Sequence, residues 1–371
     1  LPVSPPNAAK PERKQARPAL RRRSSTALAG INAVLIVAIV ATVILSGATG
    51  PTDVTFVESF KVVLGHLLPD MSWMSDGSLT RLQDQAVWDF RLPRTLLAGL
   101  TGAGLALAGA LMQAIVRNPL AEPYILGVSS GAGVGAVLVI TLGSASLAGV
   151  TLSTAAFIGA LVTTIAVYLL ARQHGVLAPT RMILTGVALG SLLSAVTSYL
   201  TLTTEAQNVF SVLFFLLGSV SAATFHQLIV PAVALTIVSL YVFTRPRALN
   251  ALLVGDESAT ALGVDVNRLR TYLMIAAALL TGSVVAVSGG IGFVGLVIPH
   301  IARIIVGTDH RRMLPVTVLG GALFLMLADL LARTVAQPTE IPIGIITAVV
   351  GAPFFLWLMR RGRAARAGMQ R

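Results

Sequence analysis

Beyond its first 27 residues the chain is a succession of apolar runs separated by short polar breaks. A bilayer hydrocarbon core about 30 Å thick needs about 20 apolar residues per crossing helix. Runs of about that length recur near 28–46, 94–115, 125–142, 152–170, 182–201, 228–243, 272–288, 291–306, 314–335 and 343–359. The pattern predicts an all-α polytopic membrane protein with about ten transmembrane helices in one domain, 28–360. Basic segments flank that domain. Lys10, Arg13, Lys14, Arg17 and Arg21 to Arg23 stand among prolines in a stretch too polar to pack, so 1–27 reads as a disordered cytoplasmic arm. Residues 361–371 read as a basic cytoplasmic tail. A basic region before an apolar one also fits a secretory signal peptide. The run from Leu28 to Ser46 is longer than a usual signal core, however, and Ser46-Gly47-Ala48 is weakly cleavage-like, so we read it as an uncleaved first span.

Composition agrees with that class. Hydrophobic residues make up 55% of 371 and charged residues 11%, with a mean hydropathy of +0.83, so most of the chain cannot face water. The net charge of +12 would point a soluble protein toward nucleic acid, but its placement here points to topology. Of the 27 Lys and Arg, all but Lys61, Arg81, Arg91, Arg94 and Arg333 fall in the N-terminal arm, in alternate loops or in the tail. Lys and Arg near span ends stay in the cytoplasm, so both termini are expected there, with the basic residues meeting anionic membrane lipid and no nucleic acid. The chain has no cysteine, which excludes disulfides, thiolate metal sites and cysteine nucleophiles.

Glycine is concentrated in spans 2, 3, 7 and 8, at Gly99, Gly102, Gly104 and Gly109 and again at Gly282, Gly289, Gly290, Gly292 and Gly295. Small residues let membrane helices approach closely, and packing is the expected role. The run Gly131-Ala-Gly-Val-Gly135 follows no strand and is followed by no Lys-Ser/Thr, so it is not a phosphate-cradling loop. The chain holds no GxxxxGK[ST] motif either, and any ATP that drives it must be hydrolysed by another polypeptide.

Two long blocks carry a resemblance. The first, RLPRTLLAGLTGAGLALAGALMQAIVRNPLAEPYILGVSSGAG, starts at Arg91, and the second, SGGIGFVGLVIPHIARIIVGTDHRRMLP, runs from Ser288 to Pro315. They resemble the permease subunit of the ATP-driven importers that bring iron-siderophores, haem or cobalamin into bacteria, the type II ABC importers. The resemblance implies a multi-pass protein of the bacterial cytoplasmic membrane. It pairs with a second copy of itself or a close paralogue, with two cytoplasmic ATP-binding subunits and with an extracytoplasmic substrate-binding protein, and it needs no cofactor of its own. Iron-siderophores are the most numerous cargo of such families and are expected first, haem and cobalamin next.

The same resemblance assigns residues. The loop from Arg245 to Arg270 contains GDESATALGV, in which Asp256 to Leu262 reads as a short helix ending at Gly263, the usual glycine stop. In the family this stretch forms coupling helices seated on the ATP-binding subunit, which points to Gly255, Asp256, Glu257, Ala261, Leu262 and Gly263. Leu252, Leu253, Val254, Ala259, Ala261 and Leu262 form an apolar face with no evident internal partner. Arg91, Arg94 and Arg333 stand on the outer side against the charge bias. The family uses arginines there to receive acidic residues of the binding protein; otherwise they anchor helix ends, and Arg333 pairs with Asp329 four residues earlier. At the cytoplasmic break after span 2, Asn118 and Leu120 are gate candidates. A second gate is usually lined by small hydroxyl residues, and Leu177-Ala178-Pro179-Thr180 departs from that.

An offset of 176 residues places Arg94-Thr95 on Arg270-Thr271 and Pro123 on Pro299, a faint repeat whose copies would be inverted in the membrane. His300 and His226 have no second ligand at i+3 or i+4, so helix-end hydrogen bonding is expected and no metal site. The competing readings are a secondary transporter driven by an ion gradient, which would want mid-membrane charges, and a membrane enzyme or scaffold, which would want a polar cluster. The spans show almost no charge besides Asp329.

Overall fold

The computed structural model describes residues 25–68, 70–143, 147, 149–173, 175–337 and 339–367, without the side chains of Met359 and 361–367. The expected arm lies outside the described residues up to position 24, and the expected tail beyond 367. Fifteen α-helices are described. In order they are α1 Ser25–Ala48, α2 Phe56–Leu67, α3 Arg81–Gln85, α4 Leu92–Val116, α5 Val128–Leu142, α6 Leu152–Ala171, α7 Pro179–Thr203 and α8 Ala206–Leu217. They continue as α9 Phe225–Phe243, α10 Pro246–Val254, α11 Asp256–Ala261, α12 Val266–Ser288, α13 Val294–Val306, α14 His310–Thr334 and α15 Ile343–Ala367. A two-residue hairpin, β1 Arg172–Gln173 antiparallel to β2 Val176–Leu177, is the sheet among them.

The ten expected spans correspond to α1, α4, α5, α6, α7, α9, α12, α13, α14 and α15. Seven helices are long and apolar enough to cross a membrane, whereas α5, α13 and the apolar part of α15, Ile343–Leu358, are shorter. At 1.5 Å per residue, α5 extends about 22 Å and α13 about 20 Å, short of a core of about 30 Å. Each follows a break. A 3₁₀ turn, Pro123–Leu126, precedes α5, and an irregular stretch from Gly289 to Phe293 precedes α13, with Phe293 in the left-handed region at φ 68°. Helix α8 was not foreseen. It is apolar but has 12 residues, and it ends against the second break, where Ser219 N donates to Ser288 O at 2.8 Å and Ile343 N to Gly218 O at 3.0 Å.

Helix α4 is the centre of the packing, buried along almost its whole length and touched by α9, α12, α13 and α14. Its glycines permit this. A Cβ on Gly102 would stand 2.1 Å from the Gly321 carbonyl oxygen, and one on Gly109 would stand 2.0 Å from that of Gly295, distances only two bare backbones tolerate. The 176-residue offset describes α4 and α12 well and fails after them, because Pro123 opens a 3₁₀ turn whereas Pro299 lies inside α13.

Candidate functional site

The expected site residues gather at two poles. At the outer pole, α3 runs through a π-helical turn, Ala86–Arg91, directly into α4. Arg91 closes that turn and points at the end of α1, its Nη1 donating to Gly47 O and its Nη2 to Thr52 O, both at 2.7 Å. One turn on, Arg94 Nε donates to Asp329 Oδ1 at 2.9 Å and Nη1 to Glu340 Oε1 at 2.8 Å. Arg333 Nη2 reaches Asp329 Oδ2 at 2.8 Å and Ser46 Oγ at 2.5 Å, and Ser46 in turn bonds Thr95. The pair between Arg333 and Asp329 on one helix face is therefore present, and Arg94 shares its carboxylate.

These side chains are inside the protein more than on it. Asp329 is fully buried and the three arginines are 7 to 9% exposed, while Glu340 has a side chain 40% exposed. Three guanidinium groups face two carboxylates across α1, α4 and α14. Arg91 bonds backbone carbonyls at a position where the other two arginines bond carboxylates. A recess of about 580 Å³, lined by Thr52, Phe90, Arg91, Arg94, Arg333 and Glu340 among others, opens over the cluster. Such a recess can take up carboxylates of an incoming surface.

At the cytoplasmic pole the GDESATALGV stretch is the second of two short helices. Helix α10 is anchored by buried Leu249 and Leu252 and by Asn250, whose Nδ2 donates to Asp309 Oδ1 at 2.7 Å and whose Oδ1 accepts from His310 N at 3.0 Å. Gly255 turns the chain at φ 119° and Gly263 ends α11 at φ 80°. Asp256 accepts both ends of the Arg270 guanidinium, at 2.9 and 2.8 Å, and lies 3.7 Å from Arg117 Nη1. The apolar face expected here divides. Leu252 and Ala259 pack inward, fully buried, whereas Leu253, Val254 and Leu262 are 45, 69 and 71% exposed, with Glu257 and Ala261 exposed beside them.

The break after α4 lies beside that surface. Arg117 adopts φ 53°, Asn118 Oδ1 accepts from Leu120 N at 2.9 Å, and both gate candidates are exposed. The next residues reach the other broken span. Glu122 Oε1 accepts from Phe293 N at 2.8 Å, capping the start of α13. Tyr124 Oη donates to Ile291 O and accepts from Ile291 N, both at 2.9 Å. Gln113 Nε2 donates to Gly295 O at 3.2 Å and its Oε1 accepts from Arg303. Side chains of the first break thus satisfy backbone groups left open by the second. At the other expected gate, Leu177 is buried and Thr180 exposed.

Sequence reasoning missed Glu122, Tyr124, Gln113, Arg303 and Glu340. Their partners lie 171 residues away for Glu122 and 246 for Glu340, and no local pattern signals such pairs. The expected helix-end bonding of the histidines is absent at His300, whose Nδ1 has no hydrogen-bond partner. Among the described residues no three His, Asp or Glu side chains converge.

The sequence matches the profile of the FecCD transport family over residues 34–361. It is 44% identical over 274 residues, 74% of this chain and 73% of the relative, to the cobalamin import system permease protein BtuC of Halobacterium salinarum. It is 45% identical over 297 residues, 79% and 84% of the two chains, to the uncharacterized ABC transporter permease protein YvrB of Bacillus subtilis. Identity to the vitamin B12 import system permease protein BtuC of Citrobacter koseri is 40% over 292 residues, 78% and 88%. Among solved structures, an inward-facing metal-chelate type ABC transporter superposes with a TM-score of 0.77 at 34% identity, covering 90% of this chain and 99% of that one.

Proposed function

Since the chain belongs to the FecCD transport family and is a multi-pass permease of an ABC importer, we propose that it passes a large metal chelate across the cytoplasmic membrane. In this reading two copies, or this chain and a close paralogue, enclose the pathway, and a separate pair of ATP-binding subunits drives it. Arg91, Arg94 and Arg333 receive carboxylates of the substrate-binding protein. Helices α10 and α11 seat on the ATP-binding subunit, and Asn118 and Leu120 close the inner mouth. The two relatives named above with a cargo in their names are cobalamin or vitamin B12 importers, which puts a corrinoid ahead of the iron-siderophore first expected, and ahead of haem.

The observation that carries the reading is the clamp at Asp256. An exposed apolar surface with no internal partner is joined through one carboxylate to Arg117 in the gate-side break and to Arg270 at the start of α12. Motion imposed on α11 from outside is delivered to the inner mouth. Pairing of copies is supported by α7, in which only Met182, Gly186 and Thr197 are buried.

The test is transport in liposomes holding the permease, the ATP-binding subunits and the binding protein, with cobalamin, a ferric siderophore and haem offered in turn. ATP-dependent uptake of cobalamin is expected. In Gly263→Val the β-branched residue is forced to φ 80° with open space around it, a backbone penalty of about 1–2 kcal/mol. It should lower uptake and uncouple ATP hydrolysis from the loaded binding protein while the spans stay folded. Uptake by the permease alone, driven by an ion gradient, would instead establish a secondary transporter.

A further inference from the structure

A groove between α6 and α12, outside the side-chain clusters of both poles, is built for an apolar chain. Phe157, Leu161, Ile165 and Tyr168 of α6 face Ile275 and Ala278 of α12 across a cavity of about 320 Å³. Leu161, Ile165 and Ile275 are about half exposed. The two threonine hydroxyls in its wall are turned away: Thr164 Oγ1 donates to Ala160 O at 2.9 Å and Thr271 Oγ1 to Asn267 O at 3.0 Å. The lining therefore presents carbon to whatever fills it.

Length and shape select the occupant. The α12 wall runs from Thr271 to Gly282, about 16 Å at 1.5 Å per residue, which is roughly one leaflet of a core of about 30 Å. The far end is shut by Phe157, whose Cε2 lies 3.6 Å from where a Cβ on Gly282 would be. About 320 Å³ drawn out over 16 Å leaves a mean cross-section of about 20 Å², wide enough for one hydrocarbon chain and far too narrow for a helix of about 10–12 Å diameter.

The open end lies on the cytoplasmic side, where α6 ends and α12 begins, and it carries a cation. The Arg172 guanidinium sits 5.8 Å from the centroid of the Tyr168 ring, is exposed, and among the described residues has no carboxylate in ion-pair range. The β1–β2 hairpin that bears it is pinned to α12 by Asn267, which accepts from Leu177 N at 3.0 Å and donates to Gly175 O at 2.7 Å. A tyrosine at headgroup level with an arginine above it is an interfacial arrangement, and basic sites between helices on the cytoplasmic side take anionic headgroups.

We propose that this groove binds one anionic phospholipid of the cytoplasmic leaflet, an acyl chain lying between α6 and α12 and the headgroup phosphate meeting Arg172. Such a lipid fills the surface part of a seam whose deeper part is closed by direct packing of α6 on α12. The proposal rests on the membrane placement of the chain and not on its cargo.

The test uses the full chain assembled with its ATP-binding subunits and native mass spectrometry after exchange into equal amounts of phosphatidylglycerol and phosphatidylcholine. The wild type is expected to retain one phosphatidylglycerol per chain, with at least fivefold preference. Arg172→Gln should bring that preference close to one while a lipid is still retained, and Ala278→Phe should fill the groove and abolish retention. Equal retention of the two lipids by the wild type, or undiminished preference in Arg172→Gln, overturns the proposal. Arg172→Gln is an exposed change that carries the test even if Ala278→Phe does not assemble. Ile275→Cys in this cysteine-free chain tests the remaining occupant, because a disulfide between two copies in native membranes would mean that protein covers the groove.

Discussion

The two poles are built in opposite ways. At the outer pole the charges are turned inward, and three arginines with two carboxylates brace α1, α4 and α14 beneath a polar recess. At the cytoplasmic pole one partly exposed carboxylate, Asp256, joins α11 to Arg270 and Arg117, and Leu253, Val254 and Leu262 are left facing out. The recess over the outer cluster, where three cations outnumber two carboxylates, would read a partner by electrostatics and act on encounter and orientation. A surface presenting apolar side chains reads its partner by shape and depends little on salt. The contrast suits the roles proposed for the two poles, a binding protein that must arrive and leave and ATP-binding subunits that stay.

Removing Asp329 should break the outer pole most severely. Asp329→Ala leaves Arg94 and Arg333 without the carboxylate they share, and stranding buried charge costs about 3–5 kcal/mol. Thermal unfolding in detergent should show a large loss, and a variant as stable as the wild type would mean that the cluster braces nothing. Asp256→Ala should act locally. It strands one buried cation, Arg270, where Asp329→Ala strands two, and the half-exposed acid screens part of the pair, so global unfolding should shift less than in Asp329→Ala while stimulation of ATP hydrolysis by loaded binding protein falls several-fold. Unchanged stimulation would separate the clamp from coupling.

The smallest effect sharpens the difference between the poles. Arg91 bonds carbonyls and no carboxylate, so Arg91→Gln removes positive charge without stranding an acid. Capture of the binding protein should weaken a few-fold at low ionic strength and converge on the wild type as salt rises. Leu262→Ala, at the other pole, should weaken assembly with the ATP-binding subunits equally at both salt levels. A salt-independent Arg91→Gln defect would move Arg91 from docking to packing.

Much of this was legible in the sequence, for physical reasons that also mark where legibility stopped. The spans stood out because lipid demands unbroken apolar runs of a set length, and the orientation because cations stay inside. Helix α8 escaped for the same reason, since 12 residues ended by Gly218 satisfy no crossing criterion. The stretch around Asp256 was recognisable by pattern, but not that Leu252 and Ala259 pack inward while their neighbours do not. The arginines were noticeable as charges against the bias. Their partners were not, apart from the i, i+4 pair of Arg333 with Asp329, because Arg94 finds its carboxylates 235 and 246 residues downstream. The two broken spans look like ordinary ones until Glu122 and Tyr124 are seen holding the second from the first.

That separation has a consequence for how the protein is made. Arg94 reaches the membrane with α4, while Asp329 has still to be translated 235 residues later. At about 5–20 residues per second, the arginine waits roughly 10 to 50 seconds for its counterion, in a helix whose glycine-rich surface also lacks its covering neighbours. During biogenesis the centre of the finished molecule is its least settled part. A ribosome that stalls before α14 leaves an inserted chain whose Arg94 has neither of its carboxylates, Asp329 and Glu340.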